Sequence, residues 1–127
     1  MGTRSNTTVY RQGKDSPVLV SIYQQFDGYF DGVGKDLQQF LDGFTIVNGI
    51  GMNTPEKAAN GMGCLAAQLV SYLKTCIGGT YLTSADDKQE YNYKIYVKGG
   101  KLHLEGMSED GSEKKKFKIR SLVDPTI

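Results

Sequence analysis

Tryptophan is absent from this chain, and histidine occurs once, as His103. One histidine leaves no His-based catalytic triad and no histidine-rich metal site. Cysteine occurs twice, as Cys64 and Cys76. The spacing places both on one predicted helix, where twelve positions span about 18 Å at about 1.5 Å per residue. That is too far for a disulfide. Both read as free thiols, and the compartment as cytosolic. No apolar run approaches the length of a membrane span. No apolar segment of the signal-peptide kind follows Met1-Gly2-Thr3-Arg4, and Asn6 stands where a myristoylation signal needs Ser or Thr. Charge of either sign is not in excess: Lys plus Arg is 15, Asp plus Glu is 14, and the net charge is +1. There is no global field to draw DNA, RNA or an anionic membrane. No phosphate-binding P-loop is present. Gly49-Ile50-Gly51 lacks the third glycine, and the preceding parallel strand, of a dinucleotide fingerprint.

What is there suits one ordinary domain over residues 1–127, long enough for a real core. The chain is organised around residues 21–41, SIYQQFDGYFDGVGKDLQQFL, which run strand, glycine-rich turn, helix. Alternation before Phe26 has period two, whereas Val33, Leu37, Phe40, Leu41 and Phe44 have helical spacing. Two weak strands at 6–11 and from Pro17 read as a hairpin. The first helix is predicted over 32–43. Residues 45–53 form an apolar loop carrying Ile46, Val47, Ile50 and Met52, either tucked into the core or covered by a partner chain. Thr54-Pro55 predicts the start of a second helix reaching about Ile77. Its glycine-rich segment 59–63 implies either close approach to the first helix or another subunit, or a frayed first turn. Four strands follow, near 80–84, 90–97, 101–106 and 116–122, with Gly99-Gly100 as a two-residue hairpin turn. The fold class is α+β: an antiparallel sheet of about six strands with two helices packed on one face, in the order ββααββββ.

Two features point towards binding. Phe26-Asp27-Gly28-Tyr29-Phe30-Asp31-Gly32 puts carboxylates, aromatics and glycines where a sheet gives way to a helix start. Free N–H groups there suit an anion. The plainer reading is a turn with Asp31 as the helix N-cap. The second feature is tyrosine, with 8 residues, several on predicted strands. Near Arg4, Lys57, Asn92, Lys94 and Arg120 they could form a stacking-and-phosphate pocket; equally, tyrosine favours strands and interfaces. No nucleophile–base pair is evident, and no enzyme activity or cofactor is expected.

The opening Met1-Gly2-Thr3-Arg4-Ser5, then Tyr23-Gln24-Gln25-Phe26-Asp27-Gly28-Tyr29 and Gly32-Val33-Gly34 before Leu37, Phe40 and Leu41, resembles a group of small phage and prophage proteins. These begin Met-Gly-Thr-Arg-Ser and carry a (Trp/Phe)-Asp-Gly-Tyr turn. The likeness covers about the first third of the chain. Within the group, the chain most resembles the first type of Thoeris anti-defence sponge. That resemblance implies a non-catalytic viral protein of the host bacterial cytoplasm. It would sequester cyclic ADP-ribose isomers made by TIR-domain enzymes, and cyclic oligonucleotides in some members. It also implies a homo-oligomer with ligand held between protomers, and no DNA, RNA or membrane partner. Arg4, Asp27, Gly28 and Tyr29 map onto the group's motif. Residue type and strand face add Lys57 and Arg120 for a pyrophosphate, and Tyr91 or Tyr93 with Asn92 for adenine. The alternative is a phage-encoded protein-interaction or virion-associated module with no small ligand.

Overall fold

The computed structural model describes residues 2–127; Met1 of the opening motif lies outside the described residues. The elements in order are β1 (Ser5–Tyr10), β2 (Val18–Gln24), a π-helical turn over Phe30–Gly34 running into α1 (Lys35–Leu41), β3 (Phe44–Val47), β4 (Ala58–Asn60), α2 (Gly61–Leu73), β5 (Thr80–Thr83), β6 (Tyr91–Lys98), β7 (Lys101–Ser108), β8 (Lys114–Phe117) and β9 (Ser121–Val123). The architecture is α+β. Six strands form the main sheet in the order β5-β2-β1-β6-β7-β8, with both helices on one face. Three short strands, β4-β3-β9, form a second sheet whose pairings are parallel.

The main sheet is mostly antiparallel, but β1 and β6 pair in parallel. The cause is topological. Chain leaving β5 at the sheet edge must cross β2 and β1 to reach β6, about 14 Å at about 4.8 Å per strand. Residues 84–90 make that crossing over the face remote from the helices. Asn6 holds them there, donating from Nδ2 to the carbonyls of Ser84 (3.0 Å) and Asp87 (2.9 Å). Central β1 is therefore buried along its whole length.

The core lies between the sheet and the helices. Val9, Ile22, Tyr93, Ile95, Leu102, Leu104 and Phe117 meet Leu37 and Leu41 of α1 and Met62, Leu65, Ala66, Leu69 and Leu73 of α2. Those α2 residues have the helical spacing of a buried face, and the body of the helix matches the sequence reading. The start of α2 does not. Thr54 accepts the Gly51 N–H on its hydroxyl at 2.8 Å, closing a turn rather than capping a helix. Ala58–Asn60 pair with β3 instead. The helix begins at Gly61, whose φ of +80° suits glycine and turns the chain out of the strand. No atom lies within 4 Å of a Cβ placed on Gly61 or Gly63, so close approach by α1 is not the reason for the small residues.

Other boundaries also shift. The apolar loop begins as β3, burying Ile46, while Ile50 and Met52 remain exposed. The closing strand expected over 116–122 is split: β8 ends at Phe117 and β9 joins the second sheet. Cys76 lies beyond the end of α2, and both cysteines are free and exposed. The Gly99-Gly100 turn is as expected, with φ of +62° and +73°. Among the described residues, no helix is long and apolar enough to cross a membrane.

Candidate functional site

The turn after β2 is locked to the start of β1. The Gly28 N–H donates to the Thr3 carbonyl at 2.9 Å, and the Gly28 carbonyl accepts from the Tyr93 hydroxyl at 2.6 Å. A Cβ on Gly28 would stand 2.9 Å from the Arg4 carbonyl group, so only glycine fits. Arg4 in turn accepts the Tyr91 N–H on its carbonyl at 3.2 Å. Asp27 sits at φ +58°, a left-handed conformation that Asp tolerates. Its carbonyl accepts the Val33 N–H at 2.7 Å, and its carboxylate accepts from the exposed Tyr29 hydroxyl at 3.2 Å. That hydrogen bond to a carboxylate raises the Tyr29 pKa.

Three of the N–H groups expected to face an anion at this helix start are already taken. The N–H groups of Gly32 and Gly34 donate to the Tyr29 carbonyl at 3.0 and 3.4 Å, and Val33 is bonded to Asp27. Asp31 provides no side-chain cap. Tyr93 is 1% exposed, and its ring fills the space above Gly106, 2.7 Å from where a Cβ would stand. Burial raises its phenol pKa strongly. It packs in the core with Phe30 and Phe117 and offers no face to a ligand. Tyr91 is half-buried, edge-on to Phe30 at 5.1 Å, and donates to Glu113 at 3.3 Å.

Lys57 and Arg120 lie elsewhere, at the C-terminus of α1. Lys57 Nζ donates to the carbonyls of Asp42 (2.5 Å) and Gln39 (3.4 Å), where a cation meets the negative end of the helix. Arg120 grips the Asp42 carboxylate from Nε (3.1 Å) and Nη2 (2.6 Å). Its side-chain hydrogen bonds, with the one from its backbone N–H, lower the Asp42 pKa to about 2. Both cations are engaged with the protein itself. Asn92 belongs to a third place, the sheet face away from the helices, folded back on the Gln89 backbone at 3.0 and 2.8 Å. The residues expected to share one pocket therefore occupy three regions. No family model, curated protein or solved structure matches the chain.

A concavity lies on the face that carries Asn92. Strand register sets its grid. One row runs Asn6, Asn92, Met107, Lys114 from β1 to β8, and the next runs Thr8, Lys94, Glu105, Lys116. The second β8 row explains why a lysine run ends up facing a site: alternate residues of 114–116 share the face with Lys94. Between them is a hollow of about 370 Å³, lined by four lysines, Lys94, Lys114, Lys115 and Lys116, against one carboxylate, Glu105. That carboxylate is already satisfied. Lys14 Nζ lies 2.9 Å from its Oε1, and the Tyr96 hydroxyl donates to Oε2 at 3.1 Å. Burial works against the Glu105 charge, yet these bonds hold its pKa below the ordinary value. Tyr96 is stacked on His103, with ring centroids 5.2 Å apart, and Lys14 lies over its ring at 5.0 Å. Lys94 and Lys114 have no ion-pair partner among the described residues.

Alternation along β6 puts Asn92, Lys94 and Tyr96 on one strand face, and that alternation was the available signal in the sequence. Asn6, Thr8, Lys114 and Lys116 were out of reach, because their proximity depends on the β1–β6 and β7–β8 pairings. Among the described residues, no group of His, Cys, Asp or Glu could hold a metal ion.

Proposed function

We propose that this chain is a non-catalytic binding protein that holds a phosphate-bearing nucleotide on the open face of its large sheet. The observation that carries the reading is the lysine-lined hollow, whose single carboxylate is already bonded to Lys14 and Tyr96. Its lysines are left to attract an anion, and lysine binds phosphate as a point charge. Binding by charge needs no nucleophile, base or cofactor.

The resemblance of the opening third of the chain specifies the reading further. The ligand would be a cyclic ADP-ribose isomer made by TIR-domain enzymes, sequestered intact in the host bacterial cytoplasm to block Thoeris immunity. The protein would act as a homo-oligomer. Exposed Phe26, Ile77 and Leu82, at 56%, 99% and 67%, are apolar surface that a second protomer would cover. The same exposed residues favour the second reading, a protein-interaction or virion-associated module without a small ligand.

Thermal unfolding with a panel of cyclic ADP-ribose isomers and cyclic oligonucleotides tests this. Ligand at a hundredfold excess over its Kd stabilises by about 2.7 kcal/mol, which moves Tm by several degrees for a domain of this size. A shift with one isomer, and its recovery unchanged after denaturation, supports sequestration. No shift with any of them sinks it and leaves the protein-binding reading.

A further inference from the structure

A second hollow adjoins the first beneath the 84–90 crossing. It measures about 210 Å³, and Asn92, Lys94 and Met107 line both. That volume suits one ring system, whereas pockets for drug-sized ligands run to about 300–1,000 Å³. Lys88 and Glu109 stand on its walls, and Asn6 lines it from β1.

Asn6 is 2% exposed. Both hydrogens of its amide have acceptors, since Nδ2 donates to the carbonyls of Ser84 and Asp87. These two carbonyls fix the amide's orientation, because turning it over would set oxygen against oxygen. The amide oxygen, Oδ1, is then buried without any hydrogen-bond partner. Buried side-chain acceptors are nearly always satisfied, so an orphan beside a cavity asks for a donor from outside the chain. Neighbouring polar groups do not supply one. Thr8 is bonded to Ser21 at 2.9 Å, and Asn92 is bonded to Gln89.

We propose that this hollow is a base subsite, in which Asn6 Oδ1 accepts an N–H from the exocyclic amine of a purine whose phosphates lie among Lys94, Lys114 and Lys116. The inference rests on the nucleotide-binding reading above and adds the group that selects the base. An aminopurine supplies the missing donor. A purine with hydrogen in place of the amine leaves the acceptor as it is now.

The test compares adenosine diphosphate with purine-riboside diphosphate, its counterpart lacking the 6-amino group, by calorimetric titration of the intact protein. Adenosine diphosphate is expected to bind about tenfold or more tightly, the range set by leaving one buried acceptor unmet. Lys114→Ala weakens both nucleotides by the same factor and keeps their ratio, because Lys114 lines the first hollow and not the second. Equal binding of the two nucleotides overturns the Asn6 assignment, with a resident water as the donor, and leaves the nucleotide reading standing. Binding of neither overturns the base subsite; the panel of cyclic nucleotides then decides the wider reading separately. The comparison lies in the ligand, so it survives even if a variant of Asn6 releases the 84–90 crossing and fails to fold.

Discussion

The Tyr93 hydroxyl donates to the Gly28 carbonyl across 2.6 Å, in a fully buried setting. This bond joins the turn after β2 to the strand that centres the second half of the chain. Replacing Tyr93 by Phe keeps the ring and strands that carbonyl. The expected loss is about 1–3 kcal/mol, read as a lower urea midpoint with an unchanged slope. A midpoint equal to the parent protein's would show that the turn is not tied to β6 in this way.

Two glycines should respond oppositely to alanine. Gly28→Ala forces a Cβ to within 2.9 Å of the Arg4 backbone, and backbone cannot move aside cheaply. A loss of about 2 kcal/mol or more is expected, within the range for overpacking. Gly63→Ala meets nothing within 4 Å on α2 and should stabilise the monomer by up to about 1 kcal/mol. If Gly63→Ala instead breaks an oligomer in sedimentation, a second subunit packs on that helix.

The Asp42–Arg120 pair gives a pH dependence of fixed sign. Asp42 titrates at about 2 when folded against an ordinary 3.8. A depressed folded value contributes stability that is complete above the unfolded value and lost as pH falls through the folded one. The Tm difference between the parent protein and Arg120→Ala should thus be constant above about pH 5 and fade towards pH 2. Its size is small, since Arg120 is exposed. A difference that grows on acidification would contradict the pairing. Carbon-detected titration of the Asp42 carboxyl should show its pKa rise in Arg120→Ala.

The lysine hollow predicts separate effects on binding and folding. Lys94 and Lys114 are not ion-paired, so Lys94→Ala with Lys114→Ala should leave Tm within about 2 °C of the parent. The pair should weaken an anionic nucleotide by about tenfold, and the affinity that remains should depend less on salt, as expected when charges are removed from an exposed site. Unchanged affinity would place the ligand away from this face and would favour the tyrosines and apolar residues near β5 as the working surface.

Much of the fold was legible because it is local. Period two marked β2, helical spacing marked the buried face of α1, and Gly99-Gly100 marked the hairpin. The candidate site was less so. Tyr93 was expected to meet a ligand because aromatics stack on bases, but the same alternation that put it on a strand face put it on the core face. Lys57 and Arg120 were read as phosphate ligands, yet each found an acceptor at the end of α1. Residue type stated what those side chains can bind and was silent about which partner arrives first.

By itself the sequence determined the main strands, the bodies of both helices, the mixed α and β character and the glycines at the tight turns, because backbone sterics and hydrophobic periodicity act within a few residues. The tertiary structure alone decided which strands are neighbours. The crossing of residues 84–90 sets β6 parallel to β1, and the return of β8 against β7 brings a lysine run opposite Lys94. The β7–β8 pairing is a short-range hairpin, but the β1–β6 pairing joins positions more than eighty residues apart, as with Ser5 and Tyr91. That long-range pairing is fixed by burial of both faces of β1 and by closure of the sheet's hydrogen bonds, which no local pattern encodes.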